Sequence, residues 1–198
     1  MKILAFTDIH CSTKALKKII QRGKKKDVDC LACAGDISIF EQHLEYMMRK
    51  LDTVGKCVFI VPGNHETPEV LKKLCSYTKN LVFLHKQLKK FKDVTFIGFE
   101  GDGFSFTDSA FRGWAKQIEK RIRKKGKIVL ITHAPPHHTK VDLLIDEHCG
   151  NKDIRRFLER NTIALHICGH LHENAGVKDV VKGTKVVNPG PYGVVVEV

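Results

Sequence analysis

Five short blocks of this chain place metal-binding residue types at close spacing. They are Asp8-x-His10, Gly35-Asp36, Gly63-Asn64-His65-Glu66, His133 and Gly169-His170-x-His172. Their side chains offer carboxylate and amide oxygens and imidazole nitrogens. That donor set suits divalent ions such as Mn, Fe or Zn, and not metals selected by thiolates. One ion takes about four to six donors. Seven candidates, one of them an aspartate able to bridge, fit two ions better than one. Two ions ~3.5–4 Å apart clamp the attacking and leaving oxygens of an in-line displacement at phosphorus.

Donors scattered over so much sequence converge only if the fold gathers them. The chain alternates strand and helix patterns. Strands are predicted over Lys2–Thr7, Val28–Ala34, Cys57–Val61, Leu81–Leu84, Val94–Phe99, Lys127–Thr132, Ile163–Cys168 and Val194–Val198. A hairpin is predicted where Lys178–Val181 and Thr184–Val187 flank Lys182-Gly183. Helices are predicted from a Thr13 cap through Leu16, Ile19 and Ile20, over Glu41–Leu51, over Pro68–Cys75, over Ala110–Lys125 and over Asn151–Arg160. Met47 and Met48 read as core filling on the second helix. Gly101–Ser109 reads as a glycine-bearing loop, and His133–Gly150 as a connection long enough to be functional.

The five blocks fall where five of these strands end, and the carboxyl edge of an α/β sheet is where ligands bind. Asp8 and His10 lie two apart, so they point the same way if the strand continues, and His170 and His172 share that spacing. The glycines at 35, 63 and 169 let the backbone turn sharply beside a ligand.

All five blocks, in this order, resemble the signature of the calcineurin-like metallophosphoesterase superfamily, and they span residues 8 to 172. Thr132–Pro136, Thr139–Asp142, Cys168–Glu173 and Val187–Pro191 resemble the small prokaryotic branch related to the Icc cyclic-nucleotide phosphodiesterases. The resemblance implies a dinuclear, metal-dependent phosphoesterase. One ion would be held by Asp8, His10, Asp36 and His172, the other by Asp36, Asn64, His133 and His170, with Asp36 bridging. A hydroxide between the ions would attack phosphorus. His65 would bind no metal and would act as general acid or charge stabiliser at the leaving oxygen. Glu66 would orient His65 or a ligand. Two divalent ions, of which Mn is the first choice and Fe, Zn, Ni or Co the others, are the implied cofactors. With both aspartates and a hydroxide the site carries about +1, which attracts a phosphate anion. The expected fold is one α/β domain over residues 1–198, two mixed β-sheets packed as a sandwich flanked by helices. The expected reaction is phosphodiester hydrolysis. Phosphomonoesterase action on the same centre is the alternative, and a non-catalytic scaffold, such as the retromer subunit that shares this domain, is a third reading. A nuclease is disfavoured, because the family's repair nucleases carry additional domains.

Composition narrows the remainder. With 42% hydrophobic and 28% charged residues, the chain is too apolar to be disordered. Its apolar runs are too short to span a bilayer or form a secretory leader. Seven scattered cysteines read as free thiols of a reducing compartment, so the chain is expected in the cytoplasm. The net charge of +12 is spread over many small lysine groups, such as Lys89–Lys92. These read as solvated faces and not as a dedicated nucleic-acid surface. The partner expected is a small phosphoester, a nucleotide included, without a membrane and with homo-oligomerisation left open. Cys30-x-x-Cys33 is not a metal or redox motif, because an offset of three sends two strand residues to opposite faces. Gly101-x-Gly103 lacks the context of a dinucleotide fingerprint. His137 and His138 stand equally for substrate contact and for solvated loop. Cys11 reads as packing. His43, His85, His148 and His166 read as outside the chemistry, His166 as a satisfied, partly buried ring. Asn188-Pro189-Gly190 reads as a turn that closes the last sheet and lines the site.

Overall fold

A computed structural model describes residues 1–101, 103, 105–123 and 126–198. The predicted sandwich is present. One sheet holds five strands in the order β13-β1-β2-β3-β4, formed by Val194–Glu197, Lys2–Phe6, Cys30–Cys33, Val58–Ile60 and Leu81–Phe83. The other holds six in the order β11-β12-β10-β7-β6-β5, formed by Lys178–Val181, Thr184–Val187, Leu165–Ile167, Lys127–Thr132, Val94–Phe99 and Leu88–Phe91. Both are mixed. β1 is parallel to β2 and antiparallel to β13, and β6, β7, β10 and β12 run parallel between antiparallel edges.

Strand alternation sorts side chains into three apolar layers. Ile3, Ala5, Cys30, Ala32, Phe59 and Val61 face Phe96, Val129, Ile131 and Ile167 between the sheets. The rings of Phe59 and Phe96 stack there at 4.1 Å. The opposite face of the first sheet, with Leu4, Phe6, Leu31 and Cys33, packs under α1 (Thr13–Gly23), α2 (Leu44–Asp52) and α3 (Pro68–Ser76). The outer face of the second sheet packs under α4 (Ser109–Ile122) and α5 (Lys152–Arg160). Cys30 and Cys33 thus lie in different layers, as an offset of three on a strand requires. No described helix is long and apolar enough to cross a membrane.

Several boundaries differ from the sequence expectation, for local reasons. α1 is capped by the Ser12 hydroxyl, which accepts from the Ala15 amide, and Thr13 is its first residue. α2 begins at Leu44 and not at Glu41, because Phe40, Glu41 and His43 adopt left-handed backbone (φ 47, 64 and 54°) that no helix can include. The Lys89–Lys92 group overlaps an unpredicted edge strand, β5, whose exposed lysines discourage pairing with another sheet. The long connection after His133 contains a 3-10 turn at Lys140–Asp142 and a small hairpin, β8 (Leu143–Leu144) with β9 (Glu147–His148). Two predicted segments extend over Asp102 and Phe104 in the glycine-bearing loop and over Lys124 and Lys125 after α4, which lie outside the described residues.

Candidate metal centre

β1, β2 and β3 of one sheet and β7 and β10 of the other end at a common rim, and the structure brings all seven predicted ligands and His65 to it. The expected reason for their convergence is only half right. β1 stops at Phe6, so Asp8 and His10 are not on a continuing strand. Both sit on left-handed backbone (φ 53 and 45°), as do Asp36 (φ 53°) and His170 (φ 72°). Such non-glycine conformations cost of order 1–3 kcal/mol each and cluster at functional sites. His170 and His172 do not point the same way. His170 Nδ1 lies 3.1 Å from Asn64 Oδ1, whereas His172 Nε2 lies 3.0 Å from His10 Nε2.

The glycines serve close approach more than turning. Only Gly35 of the three has positive φ, 98°. A Cβ on Gly63 would lie 2.0 Å from Asp36 Oδ1, and one on Gly169 would lie 2.1 Å from Thr7 Oγ1 and 2.8 Å from Asp8 Oδ2. Bare backbone at these positions is what lets the two carboxylates sit inside the rim.

The donor atoms form two neighbouring sets that meet at Asp36. On one side, Asp8 Oδ1 lies 3.9 Å from His10 Nε2 and 3.7 Å from His172 Nε2. On the other, His133 Nε2 lies 2.9 Å from Asn64 Oδ1 and 3.3 Å from Asp36 Oδ2. Asp36 divides its oxygens. Oδ1 accepts the His65 amide at 3.0 Å, and Oδ2 faces His10 at 3.7 Å, His133 at 3.3 Å and His65 at 4.0 Å. Asp8 does likewise: Oδ2 accepts the His170 amide at 3.1 Å, while buried Oδ1 has no hydrogen-bond partner among the described residues.

The His133 ring tests whether a cation fits. Its Nδ1 lies 2.8 Å from the Ala34 carbonyl oxygen, which cannot donate, so Nδ1 carries a proton. In the neutral ring Nε2 is then a lone pair, aimed at a carboxylate oxygen and an amide oxygen. With the amide oxygen of Asn64 inward, three electron-rich atoms converge, an arrangement that a proton or a metal ion relieves. In the chain by itself the proton takes this role. Burial works against a charged His133, but the hydrogen bond and charge of Asp36 outweigh it and raise its pKa to about 9. Burial likewise pushes Asp36 up, and His133 together with the His65 amide brings it below the usual carboxylate range. Asp8 is held above that range by burial. His10 is held below the usual imidazole range by burial, against the pull of Asp36 and Asp8. A neutral His10 suits ligation. The second nitrogen of His133, bonded to a backbone carbonyl, is the support that metal-ligating histidines ordinarily have. The residues present therefore fit divalent cations.

Of the two roles expected of Glu66, the structure shows the second: it positions a proposed ligand, Asp36, and not the His65 ring. Its buried carboxylate accepts from the amides of Asp36 (3.0 Å), Ser38 (2.7 Å) and Gly63 (3.3 Å) and from the Ser38 hydroxyl (2.9 Å). It fastens the loop after β2 to the loop after β3, and so sets Asp36 against Asn64. What orients His65 is Phe40, whose amide donates to His65 Nδ1 at 3.3 Å. Nothing in the residue types foretells that contact. Asn188-Pro189-Gly190 does not close one sheet as expected but leads from β12 of the six-stranded sheet toward β13 of the five-stranded one, and it ties down the histidine-bearing loop, since Asn188 Nδ2 donates to the Leu171 carbonyl and Gly190 O accepts from the Thr7 amide. His137 and His138 group with His148, their rings 5.9 and 4.5 Å from its ring, and His148 bonds buried Asp142. Cys11 bonds the Gln42 carbonyl through its thiol.

His166 is fully buried rather than partly so. Its Nε2 lies 2.8 Å from Thr132 Oγ1, which itself donates to the Ala134 carbonyl, and Nδ1 has no partner among the described residues. Burial lowers its pKa to about 3, and burial of His85 lowers that ring to about 4. Both stay neutral in the fold and would take up protons on unfolding. A depressed histidine contributes stability that is complete above its unfolded pKa and lost as pH falls toward the folded value. Between about pH 7 and about pH 5 the metal-free protein should lose about 2 kcal/mol of unfolding free energy through His166 alone. Urea unfolding of the wild type and of His166→Asn at both pH values checks this, and equal pH dependence in the two would contradict it.

A family model described as calcineurin-like phosphoesterase matches residues 1–174. An uncharacterized protein of Methanocaldococcus jannaschii is 32% identical over 202 aligned residues, covering 96% of this chain and 88% of its own. Among solved structures, TT1561 of Thermus thermophilus superposes with a TM-score of 0.78 at 13% identity, covering 96% of this chain and 88% of that one. A dimetal phosphatase from Danio rerio superposes with a TM-score of 0.67 at 12% identity, covering 94% and 86%. At such identities the two superpositions show the fold.

Proposed function

Since this chain belongs to the calcineurin-like phosphoesterase family, hydrolases of phosphoric esters, we propose that its rim is a two-metal centre acting on phosphodiesters. The observation that carries this is the convergence of His133 Nε2, Asp36 Oδ2 and Asn64 Oδ1 beside a second group formed by Asp8, His10 and His172. Asp8, His10, Asp36 and His172 would hold one ion, and Asp36, Asn64, His133 and His170 the other. Asp36 Oδ2 faces both groups and would be shared. Oxygen and imidazole donors without a thiolate suit Mn, Fe, Zn, Ni and Co alike, and Mn is the first choice through the family resemblance alone. When bound, such ions supply Lewis acidity toward phosphoryl oxygens and a water acidified toward neutral pH.

The chain's own groups do the rest. Glu66 keeps Asp36 and Asn64 in register across the two loops. The Ala34 carbonyl holds the His133 ring with Nε2 inward. Because Phe40 N–H occupies His65 Nδ1, the proton of a neutral His65 sits on Nε2, the nitrogen facing the rim. From there His65 would donate a hydrogen bond to the leaving oxygen and stabilise the charge that develops there as the ester bond breaks.

The diester preference rests on the motifs at Thr132–Pro136, Thr139–Asp142, Cys168–Glu173 and Val187–Pro191. It is also consistent with charge. Among the described residues, no lysine or arginine pairs with Asp8 or Asp36, so the centre would offer about +1, matched to a diester monoanion. In Mn²⁺, kcat/KM for bis-p-nitrophenyl phosphate should exceed that for p-nitrophenyl phosphate by about tenfold or more, about 1.4 kcal/mol at the transition state. A tenfold preference for the monoester would reverse the assignment. The seven free thiols support a reducing, cytoplasmic setting.

A further inference from the structure

Beside His65 stands a side chain that neither the core nor the metal ligands explain. Phe40 is 72% exposed and belongs to none of the three apolar layers. Its ring centroid lies 4.5 Å from that of His65, inclined at 58°. It sits on left-handed backbone, φ 47°, a genuine outlier for a bulky residue.

The turn that carries it is fastened on every side. Ser38 is clamped by Glu66. The Glu41 amide donates to the His65 carbonyl at 3.1 Å, and the Glu41 carboxylate accepts the amide and hydroxyl of Thr67. The Gln42 amide returns to the Ile39 carbonyl, and the Gln42 carbonyl accepts the Cys11 thiol. The backbone that carries the phenyl ring is thus held at the rim, tied to the segment that bears His65.

We infer that Phe40 is the platform on which a planar ring of the substrate's alcohol group rests, so that the preferred esters carry an aromatic or nucleobase group on the side of His65. The placement is chemically coherent. His65 Nε2 addresses the leaving oxygen, so the group attached to that oxygen emerges next to His65, where the phenyl ring lies. Ring-on-ring contact tolerates any flat π-system, which makes the platform selective for planarity and not for one base. This rests on the phosphoester reading above, and a binding experiment separates the two.

The probes are benzylphosphonate and methylphosphonate, whose carbon–phosphorus bonds resist hydrolysis and which differ by the ring alone. Titration calorimetry of the Mn²⁺-loaded protein should show the benzyl compound binding at least about fivefold tighter. Phe40→Ala and Phe40→Leu should abolish that advantage, while Phe40→Tyr should keep it. A ring advantage that is absent from the wild type, or survives in Phe40→Ala, overturns the platform. Hydrolysis assays run beside the titrations judge the other claim. A ring advantage with no turnover of any ester would overturn the hydrolytic reading and leave the platform standing. Turnover without a ring advantage would overturn only the platform.

Discussion

Replacing Asp36 with asparagine should lower turnover by ~10³-fold or more and should reduce the metal held by both groups. The geometry gives the reason. Asp36 Oδ1 accepts the His65 amide, a role an asparagine oxygen can keep. The NH2 group must then take the place of Oδ2, facing His10, His133 and His65. A neutral donor would stand where the two proposed ions would share a negative oxygen. It would also hydrogen-bond His133 Nε2 and so relieve the lone-pair convergence that otherwise calls for a cation. The fold should persist, because Glu66 and not Asp36 holds the amides of Ser38 and Gly63. Metal analysis together with bis-p-nitrophenyl phosphate kinetics checks this. Unchanged metal content with activity within about tenfold of wild type would remove Asp36 from the shared position.

His65→Ala should behave in the opposite way, with metal retained and kcat reduced by ~10²–10⁴. Its ring belongs to the rim, but its hydrogen bond comes from the Phe40 amide and not from a proposed ligand. What the variant loses is a donor to the leaving oxygen. The loss should therefore fall mainly on kcat and should shrink for esters whose leaving oxygen needs no proton. A p-nitrophenyl ester should suffer less than an alkyl ester. Full activity on the alkyl ester would exclude His65 from the reaction, and loss of metal would make it a ligand.

The seven proposed ligands were legible because their types, their order and their position after strands are all sequence properties. The sandwich was legible for a similar reason: Cys30 and Cys33 fall in different layers by strand alternation alone. What strand periodicity misjudged was the path beyond each strand. It placed Asp8 and His10 on an extended chain, whereas left-handed turns aim them. It extended α2 back to Glu41, across residues whose backbone is set by contacts with His65 and Thr67, far away in sequence. For Glu66 the residue type leaves His65 and a ligand both open, and only the fold selects the loop of Asp36. The Glu66 carboxylate serves three amides on two loops, and amides carry no sequence signature. The role of Phe40 is hidden in the sequence for the same reason, since its amide is what meets His65.

The central claim is that two ions share Asp36. Crystals of the Mn²⁺-loaded protein, measured for anomalous scattering at the manganese edge, test it directly. Two peaks ~3.5–4 Å apart are expected, on either side of Asp36 Oδ2. Asp8, His10 and His172 should surround one, and Asn64, His133 and His170 the other. A single peak, or two peaks without Asp36 between them, would contradict it.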